Sequence, residues 1–513
     1  MPAALTYPGV YVQEIPSGSR AITGVATSIV AFVGRAARGP VDEPVSIASF
    51  AEFERVFGGL WRESGLGYAV RDYYLNGGSS ALVVRLAGGA TSAELDVDGL
   101  ALTASGPGSW GNVLEVDVTH PSAGDAAEVA AAQGVDANDL FHLTLREGPA
   151  ESPRLREDFL NLTVVEGPRR VDLVLRASQL VSTAGALPAD RPAAGTYVVA
   201  STAQGDDGAA LQADDYDDGT TFASGKKGLF ALAKADLFTL LCLPPSSPAG
   251  DLPDALWATA LSFCRDRRAF LLVDPPGTAT HTTVEAWLAA RGLSGEMARN
   301  GALYFPRIRR PDPLRDGAVG EFVPCGAVAG VMARTDASRG VWKAPAGIDA
   351  GLAGASGLTV NLADSENGAL NPKGINCLRT FRGVGSVVWG ARTLRGADIL
   401  SDEYKYVPVR RLALFLEESL YRGSQWVVFE PNDEPLWSQV RTTLGAFMQD
   451  LFRQGAFQGR TPREAYFVRC DGETTTQYDI DRGIVNILVG FAPLKPAEFV
   501  VIGIQQKTTS ASA

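Results

Sequence analysis

The chain has 513 residues, 46% of them apolar and 20% charged, which fits a folded multidomain protein and excludes wholesale disorder. A net charge of −12 and a pI near 5.0 argue against nucleic acid as the main partner, which would need clustered lysine and arginine. No apolar run reaches the roughly 18 residues of a membrane span. Residues 1–7 lack the basic-then-apolar pattern of a secretory signal. Cys242, Cys264, Cys325, Cys377 and Cys470 stand singly, without C-x-x-C spacing, as expected of reduced, buried thiols in a protein made inside a cell.

In chain order, the first element is a strand candidate, Gly9-Val10-Tyr11-Val12-Gln13-Glu14-Ile15, set between Pro8 and the Pro16-Ser17-Gly18 linker. So short a strand is not stable alone and has to join a sheet, its own chain's or another's. From Ser28 the pattern turns α/β. Residues 29–33 are continuously apolar, as in a strand covered on both faces. Ser49 and Glu52 form a capping box for a helix with Phe50, Phe53 and Phe57 on one face, which Gly58-Gly59 stops. A helix over 66–75 and a buried strand over 81–86 open a wound sheet.

The pattern then changes. Over 92–235, Leu114, Val116 and Val118 alternate with polar residues, as do Phe141, Leu143 and Leu145. That period marks one-sided sheets, and hence an inserted, mostly β surface domain. Asp206, Asp207, Asp214, Asp215, Asp217 and Asp218 lack the spacing of an EF-hand loop and read as a solvated acidic loop.

The α/β signal resumes with strands near 237–243, 270–274 and 302–305 and helices from 254 and 284. Pro324 then opens a helix whose Gly326, Ala327, Ala329, Gly330 and Ala333 allow close approach to a neighbouring backbone. Residues 375–495 read as an α+β unit. It has one amphipathic helix over 411–422, a longer one over 434–454, and strands at 465–469 and 484–489. Beyond Pro493 and Pro496 lies a second tethered strand candidate, Glu498-Phe499-Val500-Val501-Ile502-Gly503-Ile504.

Several ordered stretches go beyond these patterns. They are residues 324–345, Asn371-Pro372-Lys373-Gly374-Ile375-Asn376, Val388-Trp389-Gly390-Ala391-Arg392-Thr393-Leu394, Gln425-Trp426-Val427-Val428-Phe429-Glu430-Pro431-Asn432, Phe467-Val468-Arg469-Cys470-Asp471 and Pro493-Leu494-Lys495-Pro496-Ala497-Glu498-Phe499. Together they resemble the sheath protein of contractile phage tails and phage-tail-like injection machines, over residues 6–90 and 237–505.

The resemblance implies an α/β multidomain chain. A subtilisin-like wound α/β domain spans 25–91 and 236–374 and is split by the inserted β domain at 92–235. An inner α+β domain at 375–495 faces a tube, and extended strand arms at 1–24 and 496–513 are exchanged with neighbours. It implies stacked helical rings of this chain around an inner tube protein, with baseplate and terminator (cap) proteins as further partners. Neither nucleic acid, membrane insertion nor a cofactor is expected, and assembly takes place in the bacterial cytoplasm as part of a tail or tail-like particle. The helix over 434–454 is the candidate tube-facing element through Gln439, Thr442, Gln449, Asp450 and Arg453.

A subtilisin-like domain also raises a rival reading, a cysteine or serine hydrolase. Cys325 stands at a helix N-terminus, where a thiol can be activated. The chain has three histidines, and His120 and His142 fall in the insertion. That leaves His281 as the candidate base, in a threonine-rich loop without a catalytic motif, and Cys325 reads as a packing thiol. No G-x-x-x-x-G-K-[ST] loop and no His/Cys ligand cluster occurs in the sequence. A non-contractile filament or surface-layer protein is the third reading.

Overall fold

The computed structural model describes residues 21–501. The strand candidate at 9–15 and residues Ile502, Gly503 and Ile504 of the second one lie outside that range. The chain divides into two compact units. The larger comprises Thr27–Ser338 and Pro345–Val407, and the smaller takes Arg339–Ala344, the chain from Pro408 onward and the stretch up to Ala26.

The larger unit is built on an eight-stranded sheet. Its order is Gly385–Val388, Ile375–Phe381, Gly301–Phe305, Phe270–Val273, Leu240–Cys242, Val30–Arg35, Ala81–Leu86 and Val45–Ile47. The six inner strands run parallel, and the strand at each edge is antiparallel. Val30–Arg35 is buried at every residue, the environment that a continuous apolar run predicts for a strand covered on both faces.

The first helix, Phe50–Phe57, starts with the Ser49 half of the expected capping box, while Glu52 reaches one residue further back than the box would have it. Ser49 Oγ accepts the Glu52 N–H at 3.2 Å. Glu52 Oε2 accepts the Ala48 N–H at 2.9 Å. Gly58 closes the helix at φ +93, a conformation that favours glycine.

The small residues of the Cys325–Arg339 helix are explained by what they touch. A Cβ on Gly326 would lie 2.0 Å from the Ala69 carbonyl oxygen, and one on Gly330 would lie 2.5 Å from that of Tyr73. Both partners belong to the Leu66–Leu75 helix, so here two helix backbones meet without side chains between them. Cys325 through Ala333 are all buried.

The insertion holds two antiparallel sheets. One has the order Gly195–Val198, Leu114–Thr119, Phe141–Glu147, Leu155–Leu162; the other has Glu94–Val97, Leu100–Ala104, Val181–Thr183. Their inward residues, including Val116, Val118, Leu143 and Leu145, form a separate core. Arginines of the large sheet clamp the ends of the insertion. Arg85 donates to the carbonyls of Ala36 at 2.9 Å, Gly39 at 2.7 Å and Pro107 at 2.6 Å. Arg35 donates to those of Asp207 at 2.8 Å and Gly208 at 2.7 Å.

Two expected boundaries move. The insertion was expected to run to 235, but Leu211, Tyr216, Leu229, Ala231 and Leu232 belong to the core of the large sheet. The α+β unit was expected from 375, but Ile375–Phe381 and Gly385–Val388 extend the large sheet, and the smaller unit resumes at Pro408. The acids of the solvated loop also accept hydrogen bonds. Asp207 accepts the Ser109 N–H at 2.7 Å, and Asp218 Oδ1 accepts the N–H groups of Thr221 at 2.7 Å and Phe222 at 2.9 Å. These acids fix turns.

Candidate assembly surface

The smaller unit places two long helices, Val407–Gly423 and Glu434–Arg453, with one strand pair. Asp433 caps the second helix by accepting the Leu436 N–H at 3.2 Å. Its predicted stripe of Leu436, Val440, Leu444, Phe447 and Leu451 is buried. The strands are Tyr466–Arg469 and Leu488–Phe491, antiparallel, with Tyr466 opposite Phe491 and Arg469 opposite Leu488. The second strand falls later than the expected 484–489, because Val485 and Ile487 pack into the core from irregular backbone.

This pair is a two-stranded sheet, so among the described residues each strand is hydrogen-bonded along one edge only. Val468 and Val489 pack inward. Phe467 at 46% and Leu488 at 52% stay exposed. Gly490 opposes Phe467, and a Cβ there would lie 2.2 Å from the Phe467 ring, so the ring occupies the space the glycine leaves. Four-residue strands in isolated pairs are marginal, and open edges with apolar flanks invite further strands.

Both chain ends emerge from this unit. Ile22 packs into its core, and the Val25 N–H donates to Ser419 Oγ at 3.1 Å. At the other end, the first four residues of the expected strand 498–504 are not paired as a strand. Phe499, Val500 and Val501 are 75%, 80% and 93% exposed. An exposed apolar run of this kind has the composition of a strand and, among the described residues, pairs with none.

The five candidate tube-facing residues are not equivalent. Asp450 and Arg453 are exposed and face each other at 3.7 Å. Thr442 is exposed and donates to the Ser438 carbonyl at 2.9 Å. Gln439 is half-buried. Gln449 is engaged within its own unit: its Oε1 accepts the Tyr466 hydroxyl at 2.8 Å, bracing the strand pair. The pattern of polar positions could not separate it from its neighbours.

The hydrolase reading meets unfavourable geometry. Cys325 is buried, and its backbone N–H donates to Asp274 Oδ1 at 3.0 Å. Burial pushes its thiol well above the ordinary value, and hydrogen bonding with Cys242 and the Asp274 charge push the same way. Burial likewise lifts the Asp274 carboxyl to about 7, against the Cys325 hydrogen bond and the Arg307 charge. His281 is paired elsewhere, with Nδ1 3.4 Å from Glu366 Oε1. A protonated, covered thiol with no imidazole beside it is not an activated nucleophile.

Among the described residues, this unit thus presents a strand pair with unpaired outer edges and an exposed apolar run at 499–501. The chain belongs to the phage tail sheath family. Residues 225–394 match the phage tail sheath protein central domain, and residues 401–507 match the phage tail sheath C-terminal domain. The tail sheath protein of Burkholderia phage BcepMu is 25% identical over 469 residues, covering 88% of this chain and 87% of that protein. The tail sheath protein of Vibrio phage KVP40 is 27% identical over 187 residues, covering 36% of this chain. The match spans only about a quarter (26%) of the Vibrio phage protein's own length. The fold is also that of the anti-feeding prophage helical sheath in its contracted state. There the TM-score is 0.57 at 23% identity, over 98% of this chain and 100% of that one.

Proposed function

We propose that this chain is the subunit of a contractile sheath: it polymerises helically around an inner tube and contracts from a metastable extended array to drive the tube through a target envelope. The observation that carries this reading is a strand pair unaugmented among the described residues, in the same unit as the exposed apolar run at 499–501. Segments 9–15 and 498–504 of neighbouring copies add strands to Tyr466–Arg469 and Leu488–Phe491. Their backbone bonds hold copies together whatever angle the subunits adopt. A heterologous contact of this kind, repeated without closing, produces a helical array.

The expected linker at 492–497 is pinned at its start by the Phe457–Pro493 bridge. Its remainder, with the linker at 16–20, lets subunits swing as rigid bodies without separating, and contraction is a switch to an arrangement with more contacts between subunits. With no P-loop motif in the sequence, the energy is stored at assembly. The relatives, a tail sheath protein and a helical sheath in a contracted state, agree with this reading. The wound unit has a subtilisin-like arrangement that serves as scaffold. Asp450, Arg453, Thr442 and Gln439 face the tube, and baseplate and terminator proteins cap the array, which assembles in the bacterial cytoplasm. Deletion of residues 1–16 is expected to leave a folded subunit that does not polymerise. Sheaths of normal length in electron micrographs of that variant would contradict the reading.

A further inference from the structure

The loop between the two long helices of the smaller unit carries a residue that breaks two rules at once. Phe429 has φ +70, a left-handed conformation that bulky residues seldom adopt. Its side chain is also fully exposed, at 102%. A strained backbone that presents an aromatic ring to water gains nothing within its own fold, and such outliers gather where a contact is made. Val428 beside it is 59% exposed.

The loop is braced. The Glu430 N–H donates to the Val427 carbonyl at 3.2 Å. The Asn432 side chain donates to the Ile484 carbonyl at 2.9 Å and accepts the Trp437 indole N–H at 2.9 Å. Trp426 and Val427 pack inward, so the braced turn leaves the Phe429 ring in water.

Its surroundings indicate what it meets. Trp426 and Val427 share one apolar cluster with Ile22 and with Val489 of the Leu488–Phe491 strand. Ile22, the second described residue, lies against Gly423 at the start of this loop: a Cβ on that glycine would meet the Ile22 side chain at 2.7 Å. Twenty residues precede Ala21, among them Val10, Tyr11, Val12 and Ile15. The dozen residues from Val10 to Ile22 span up to about 40 Å when extended, enough to cross to an adjacent molecule.

The geometry points to Phe429, with Val428, as the docking residue for segment 9–15 of a second copy of this chain. The inference rests on the strand-exchange reading above and adds what that reading lacks, a device that fixes register. Added-strand backbone bonds are indifferent to sequence, and a slip of one residue swaps the Val10 and Val12 face for that of Tyr11 and Ile15. An aromatic ring presented against one of these faces selects between them.

The test uses the full chain with Phe429→Gly and Phe429→Asp. Glycine relieves the left-handed strain, so unassembled Phe429→Gly is expected to melt no lower than wild type. Its critical concentration for polymerisation, read by sedimentation, should rise at least tenfold. Subunits carrying Phe429→Cys, mixed with differently tagged subunits carrying Val12→Cys, should be joined by a short bis-maleimide. Wild-type polymerisation of both variants would overturn the docking role. So would cross-linking confined within single chains of a double-cysteine variant, or normal sheath assembly with loss only of tube binding. If the 1–16 deletion still blocks polymerisation while Phe429→Gly does not, the docking inference fails and strand exchange stands. If neither change affects assembly, both fail.

Discussion

Gly326→Ala should destabilise the larger unit, although alanine is the better helix former. In an open helix position this substitution stabilises by about 0.5–1 kcal/mol. At 326 the added methyl would sit 2.0 Å from the Ala69 carbonyl oxygen and 2.7 Å from its carbon, where ordinary contact begins near 3.4 Å. The shortfall of about 1.4 Å is against backbone, so no side-chain rotation relieves it and the helices have to part. Overpacking of this kind costs about 1–3 kcal/mol. The upper end applies where nine consecutive buried residues move with the helix, leaving a net loss of about 2 kcal/mol after the propensity gain. Gly445→Ala in the Glu434–Arg453 helix is the control, because its methyl would meet nothing within 4 Å. Denaturant unfolding of unassembled protein, followed by tryptophan fluorescence, should give opposite signs for the two variants. Equal or stabilising shifts for both would refute the close backbone contact.

Two further predictions use the same preparation. Burial holds Asp274 near 7 and Asp72 near 6 despite the Arg310 partner at 2.5 Å. Both folded-state values lie above the ordinary carboxylate range, so the folded chain binds more protons between about pH 4 and pH 7. Stability should therefore fall as pH rises through that window, by about 2–3 kcal/mol between pH 5 and pH 8 for Asp274 alone. Asp274→Asn should flatten the profile, and an unchanged slope would count against the buried carboxyl as its source. Asp450→Lys should leave stability within about 0.5 kcal/mol, since the pair with Arg453 is exposed on both sides. The same variant should weaken co-sedimentation with the tube, and undiminished co-sedimentation would remove this helix from the tube contact.

The elements that could be read from sequence are those fixed by neighbours a few residues away. Ser49, Glu52 and Gly58 mark both ends of one helix because capping is local chemistry. The spacing of Gly326 and Gly330 announced a close helix contact, though not its partner. Boundaries were harder to read, because they depend on long-range pairing. Leu211, Tyr216 and Leu229 have no period among their Asp- and Gly-rich neighbours, yet they complete the large core. Ile375–Phe381 follows Gly374 like a fresh start, yet it pairs with Gly301–Phe305. Within the candidate site, the apolar character of 499–501 was plain, whereas the orientation of Gln449 depends on Tyr466 and the backbone of Phe429 on its loop. No local pattern encodes a left-handed phenylalanine.

The central claim is that the ends of one molecule complete the sheet of another. Electron cryo-microscopy of the assembled particle, at a resolution that traces individual chains, tests it most directly. The account predicts a sheet of at least four strands around Tyr466–Arg469 and Leu488–Phe491, with segments 9–15 and 498–504 supplied by adjacent copies. A map in which both segments fold back onto their own subunit, leaving the strand pair unaugmented between neighbours, would contradict it.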